Sequence, residues 1–179
     1  MSYDYIGTFT NKKFHFLNPS VEEVCIDDIA QALSMNCRYS GHVKEFYSVA
    51  EHSVLIADLV YKLTGDQQQA FDALLHDASE AYLTGVPRPI KPHLTGYMTI
   101  EAKAEEVIQQ AFGCRPMNDL IKEIDTHICG TEAKQLFRVV PSWCDDFEPV
   151  DIEVRCWSPE RARAEFLDRF NLFAMEKAA

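Results

Sequence analysis

His52, the adjacent pair His76-Asp77, and Asp125 are the residues of this chain whose types suit metal chemistry. Two imidazoles and two carboxylates form a donor set for a hard or borderline divalent metal, and such a set leaves positions open for water and phosphate. An adjacent His-Asp pair late in an apolar helix is costly to bury unless a metal or a partner satisfies both side chains. Glu80 follows His76 by four residues, so on a continuous helix it projects from the same face and can touch a water held by the metal. This is the outline of a metal-dependent phosphohydrolase.

Helices must position these residues. Residues 48–63 form a strongly apolar helix closed by Thr64-Gly65, and this helix carries His52. Residues 67–83 read as a second helix bearing His76, Asp77 and Glu80, after which Gly85, Pro87, Pro89 and Pro92 impose a stiff loop. Residues 98–112 have amphipathic spacing and end at Gly113; residues 118–138 carry Asp125 and read as interrupted near Gly130. A helix over 26–35 has acids in its first turn, and residues 159–175 close the chain as a helix with Pro159 near its start. Residues 3–17 alternate loosely around a Thr10-Asn11-Lys12 turn and suggest a hairpin. Residues 36–47 are a polar loop, and Cys144 to Asp151 is acidic and irregular. With no repeat, low-complexity tract or linker, the expectation is mostly α: one domain over residues 1–179, a helical bundle with a short N-terminal β-hairpin.

Composition narrows the function classes. The 28 acids outweigh 17 Lys plus Arg, for a net charge of −11. No basic stripe is present, which argues against a nucleic-acid partner, so any phosphate site must be a local basic pocket reinforced by metal. No stretch approaches the roughly 20 apolar residues that span a bilayer, and Met1-Ser2-Tyr3-Asp4 lacks the features of a signal peptide. The expectation is a soluble cytoplasmic protein with no membrane partner. The six cysteines form no CxxC pair and read as free thiols.

Taken singly, each candidate has a plainer explanation. A lone helical histidine is more often a satisfied core residue, and a lone aspartate a cap or a solvated group. The combination carries the argument, because helices presenting one ligand each can converge in a bundle core. Residues one apart lie about 100° apart around a helix, so His76 and Asp77 can share a metal only at the edge of a cleft. Glu101, Glu105 and Glu106 read as a solvated helix face. Arg38 and His42 flank Gly41 just before the His52 helix and suit a phosphate and sugar clamp, with Lys91 as an added point charge. Tyr39 stacks on a base, walls the sugar, or belongs to the core.

At these residues the chain resembles the HD-domain phosphohydrolases, whose pattern is H (His52), HD (His76-Asp77) and D (Asp125). The strings Cys37-Arg38-Tyr39-Ser40-Gly41-His42, Tyr47-Ser48-Val49-Ala50-Glu51-His52-Ser53 and Leu75-His76-Asp77-Ala78-Ser79-Glu80-Ala81-Tyr82 are similar to the bacterial and prophage 5′-deoxynucleotidase branch. That branch also includes phage dATP triphosphohydrolases. The resemblance spans roughly residues 5–175. It implies metal ligation by His52, His76, Asp77 and Asp125, action of Glu80 on the attacking water, and Arg38 at the substrate phosphate with Tyr39 beside it. The cofactor it implies is one divalent ion, with Mn, Co, Fe, Ni or Zn all compatible with this donor set. The implied partner is a small-molecule deoxynucleotide, and relatives assemble as dimers or larger rings. Many relatives carry an acid where this chain has Gly85, in Thr84-Gly85-Val86-Pro87.

The expected reaction is hydrolysis at the α-phosphorus of a 2′-deoxynucleotide. A deoxynucleoside 5′-monophosphate is the leading substrate, and a deoxynucleoside triphosphate releasing tripolyphosphate is the alternative. A catalytically silent metal-binding module and a single-strand nuclease are the rivals from other classes. The intact Glu80 argues against the first, and the missing basic track against the second.

Overall fold

The computed structural model describes residues 4–175. Met1, Ser2 and Tyr3, which enter the leader-peptide reading and the start of the expected hairpin, and residues 176–179 lie outside the described residues.

The fold is mostly helical and is organised around α2 (Val49–Thr64). This helix is apolar on nearly every side, as a helix surrounded by others must be. On one flank Val54 and Ala57 join a core with Phe14, Ile29, Leu33, Phe71, Leu74 and Phe166. On the other, Ile56 and Val60 join a second core with Ala73, Ile121, Ile124 and Ile128. Its ends follow from local sequence. Ser48 Oγ accepts the backbone N–H of Glu51, and Gly65 closes the helix in the left-handed region at φ 67°.

The remaining helices are α1 (Ile26–Met35), α3 (Gln67–Leu74), α4 (Glu80–Leu83), α5 (Tyr97–Phe112), α6 (Asp119–Leu136) and α7 (Pro159–Met175). Helices α1, α3 and α7 line the first core, and α6 supplies much of the second. The hairpin pairs β1 (Ile6–Gly7) with β2 (Lys13–Phe14) in antiparallel register, Ile6 opposite Phe14. Buried Asp28 on α1 docks its turn by accepting Thr10 N at 2.6 Å and Thr10 Oγ1 at 2.9 Å. Buried Glu51, beside His52 in sequence, accepts backbone N–H groups of Arg155, Cys156 and Trp157 and so fixes the approach to α7. Among the described residues no helix is long and apolar enough to cross a membrane.

Two expectations are corrected. Residues 67–83 are not one helix: α3 stops at Leu74 and α4 starts at Glu80. Between them the backbone winds more tightly, with Ala78 N bonded to Leu75 O at 3.1 Å and Glu80 N to Asp77 O at 3.0 Å. Helix α6 is not interrupted at Gly130 but runs through it. A Cβ at Gly130 would stand 2.9 Å from the Phe147 Cβ. The glycine therefore serves close packing of the following loop, not a break. Gly130→Ala tests this. Helix propensity alone would favour alanine by about 1 kcal/mol, but overpacking is expected to win with a net loss of about 1–2 kcal/mol, measured by denaturant unfolding.

Candidate metal centre

Three elements bring the ligands together. His52 comes from α2, Asp125 from α6, and His76 from the tight turn after α3. The ligand atoms of His52, His76 and Asp125 all lie within 4.8 Å of one another, so the three can hold a metal ion. Asp125 Oδ1 is 3.2 Å from His52 Nε2 and 4.0 Å from His76 Nε2. Asp77 stands beside them, its Oδ2 3.1 Å from His76 Nε2 and 3.7 Å from His52 Nε2.

The imidazoles are oriented from behind. His76 Nδ1 donates to the Ala73 carbonyl at 2.7 Å. His52 Nδ1 lies 2.6 Å from Glu132 Oε1. Each bond places a proton on Nδ1 and turns Nε2 toward the carboxylates, the outer-shell arrangement of metal-ligating histidines. Both Nε2 atoms are buried and neither has a hydrogen bond. Buried polar atoms are normally satisfied, and a divalent cation would satisfy both of these at once. Burial pushes the His76 pKa down, but the Asp77 and Asp125 carboxylates outweigh it and lift it to about 9, so a cation bound at Nε2 would displace a proton. Burial also opposes ionisation of Asp77, yet His76, His52 and Arg38 hold it well below the usual carboxylate range.

Glu132 is the site residue that sequence reasoning missed. Fully buried on α6, it takes His52 Nδ1 and the Tyr47 hydroxyl, each at 2.6 Å, on Oε1. Its Oε2 takes the Tyr39 hydroxyl at 2.8 Å and Arg38 Nε at 3.2 Å. Burial would raise its pKa, but Arg38 and His52 overcome that and draw it down to about 2. The available signal was helical spacing: Glu132 lies two turns after Asp125, on the same face.

Glu80 does not share a helical face with His76, as a continuous helix would require. In the tight winding before α4, residues three apart eclipse, which sets Glu80 over Asp77. Its carboxylate makes no hydrogen bond or ion pair among the described residues. Burial and the Asp77 charge push its pKa up to about 7. Gly85 makes room for it, since a Cβ there would come 2.5 Å from Glu80 Oε2.

The proposed clamp residues divide. Arg38 is near the centre, with Nη1 3.6 Å from Asp77 Oδ2, but its Nη2 donates to Cys129 Sγ at 3.2 Å and its Nε is engaged by Glu132. Tyr39 is an anchor more than a wall: its single hydroxyl proton lies between Glu132 Oε2 and the Cys129 carbonyl oxygen at 3.0 Å, and its ring meets Phe137 edge-on. These contacts hold it at φ 55°, an uncommon conformation for a bulky residue. His42 is exposed, and no hydrogen bond or ion pair ties its side chain to the described residues, so the structure does not bring it into the site. Lys91 lies near enough to influence Glu80 and Asp77, but its ammonium is paired with Glu101, 2.8 Å distant. Glu101 is accordingly a partly buried ion-pair partner and not part of a solvated face. Arg88, which the sequence did not single out, reaches Asp125 Oδ2 at 3.0 Å.

Glu132→Ala should destabilise the fold by about 3–5 kcal/mol in denaturant unfolding, because it strands the Arg38 guanidinium in the interior. The depressed Glu132 pKa adds stability that is fully present above the ordinary value of 4.5 and is lost as pH falls toward about 2. Glu132→Gln should remove that share of the acid dependence.

No family model matches the chain. It is 36% identical over 172 residues to the uncharacterized protein YfdR of Escherichia coli K12, a match covering 93% of this chain and 94% of the relative. It is 27% identical over 180 residues to the uncharacterized protein RCAP_rcc00048 of Rhodobacter capsulatus, covering 91% of this chain and 92% of that protein. Identity at the level of the Escherichia coli match, sustained over nearly the whole of both sequences, places the chain in one family with it: the protein belongs to the YfdR family.

Proposed function

We propose that the protein is a metal-dependent phosphohydrolase that cleaves 2′-deoxynucleotides at the α-phosphorus, with deoxynucleoside 5′-monophosphates as its substrates. The observation that carries this reading is the pair of buried, unbonded Nε2 atoms of His52 and His76 facing two ionised carboxylates, beside a Glu80 carboxylate that has no partner of its own. The motif strings that resemble 5′-deoxynucleotidases support the choice of substrate.

His52, His76 and Asp125 would hold the cation, with Asp77 completing the set. A bound divalent ion would supply Lewis acidity and lower the pKa of an attacking water. Glu80 accepts the proton of that water. A carboxylate with its pKa near 7 is a better base at neutral pH than an ordinary one, and it has no competing hydrogen bond to give up. Arg38 adds to the effect of His76 and His52 in keeping Asp77 ionised, and it holds Glu132, the carboxylate that accepts His52 Nδ1.

The test is a product assay by chromatography with Mn²⁺, Co²⁺ or Zn²⁺ and each deoxynucleoside mono- and triphosphate. Nucleoside and phosphate from monophosphates are expected. Tripolyphosphate would reassign the substrate to triphosphates, and no turnover with any metal would overturn the reading. Two variant sets examine the roles. His76→Ala should lose metal and turnover together, while Glu80→Ala should keep metal and lose about 10²–10⁴-fold in turnover. Gly85→Ala should also retain metal, yet lower kcat, because the added methyl displaces the Glu80 carboxylate.

A further inference from the structure

We propose that Arg88 is the residue that binds the phosphoryl oxygens of the substrate, and that Arg38 is a positioning residue. The inference rests on the phosphohydrolase reading above and deepens it by naming the cation that meets the anion. Three cationic side chains stand near the centre, and two are already committed. The Arg38 side chain is only 13% exposed. Its Nε and Nη2 are bonded to Glu132 and Cys129, and its Nη1 faces Asp77. Lys91 is held by Glu101. Arg88 differs on both counts. Its side chain is 69% exposed, and among the described residues it has one hydrogen-bond partner, Asp125 Oδ2. Its other guanidinium N–H groups are available to a ligand.

The geometry aims it correctly. Asp125 turns Oδ1 toward His52 and His76, and Oδ2 toward Arg88. The guanidinium therefore stands one carboxylate away from the candidate metal centre, on its solvent side. Pro87 and Pro89 frame the residue and restrict its backbone, which reduces the entropy lost when the side chain takes up a ligand. The Arg88 end of the pair is exposed, so solvent and salt screen it, and a guanidinium offers phosphate two parallel donors. A phosphate brought beside Asp77, Asp125 and Glu80 also needs a cation with donors to spare, and Arg88 commits only one of its N–H groups to Asp125.

The test uses the full chain loaded with Mn²⁺ and inorganic phosphate as the probe, read by calorimetry, with Mn²⁺ affinity measured in parallel. Arg88→Ala should weaken phosphate binding about 10–100-fold, the usual size of a lost hydrogen bond to a charged group, with Mn²⁺ affinity unchanged. Arg88→Lys should recover part of the loss, and turnover in the alanine variant should show the effect mainly in KM. Phosphate binding by Arg88→Ala equal to wild type overturns the proposal. So does a matching loss of Mn²⁺, which would mean that Arg88 acts only through Asp125. If the wild-type protein binds Mn²⁺ but no phosphate, the phosphohydrolase reading falls and this assignment falls with it.

Discussion

Glu132 is a fully buried, ionised carboxylate, and its network joins three separate parts of the chain. Tyr47, Tyr39 and Arg38 belong to the loop before α2, His52 belongs to α2, and Glu132 itself rides on α6. Burying such a charge is unfavourable unless every lone pair is used, and here each oxygen takes two partners. The network fixes the loop against α6 and the imidazole against the carboxylate. It therefore sets at once the spacing of α2 from α6 and the tautomer that leaves His52 Nε2 free. The left-handed backbone at Tyr39 is held by the same contacts.

The second constraint is local. Between α3 and α4 the chain gives up α-helical winding for tighter turns, and this re-aims adjacent side chains. His76 and Asp77 reach the same small volume, their reactive atoms 3.1 Å apart. Burial, and then the Asp77 charge, lift the proton affinity of Glu80 toward neutrality, while the bare Cα of Gly85 leaves it space. An acid side chain at position 85 would compete with Glu80 for that volume.

Charge is distributed unevenly over this acidic molecule. With a net charge of −11, the cations that matter are few and specifically paired. Arg38 is sunk into the Glu132 network, Lys91 is neutralised by Glu101, and Arg88 remains at the rim. An anionic substrate approaching such a surface depends on local cations rather than on the overall field.

Much was legible in the sequence. Hydrophobic periodicity gave α1, α2, α5 and α7 to within about a residue, because amphipathic spacing and caps are local properties. Ligand-competent chemistry at His52, His76, Asp77 and Asp125 was visible because metal donors are few and their side-chain types are distinctive. The break in residues 67–83 was not visible, since nothing in Leu75-His76-Asp77-Ala78 forbids a regular helix. Gly130 read as a breaker because its packing partner, Phe147, is distant in sequence. Glu132 and Arg88 were passed over for the same reason. One looked like any helical glutamate and the other like any loop arginine until the fold placed them against His52 and Asp125. Residue identity determined which chemistry was available; long-range packing alone decided which charges were buried, which were paired, and which were left free to act.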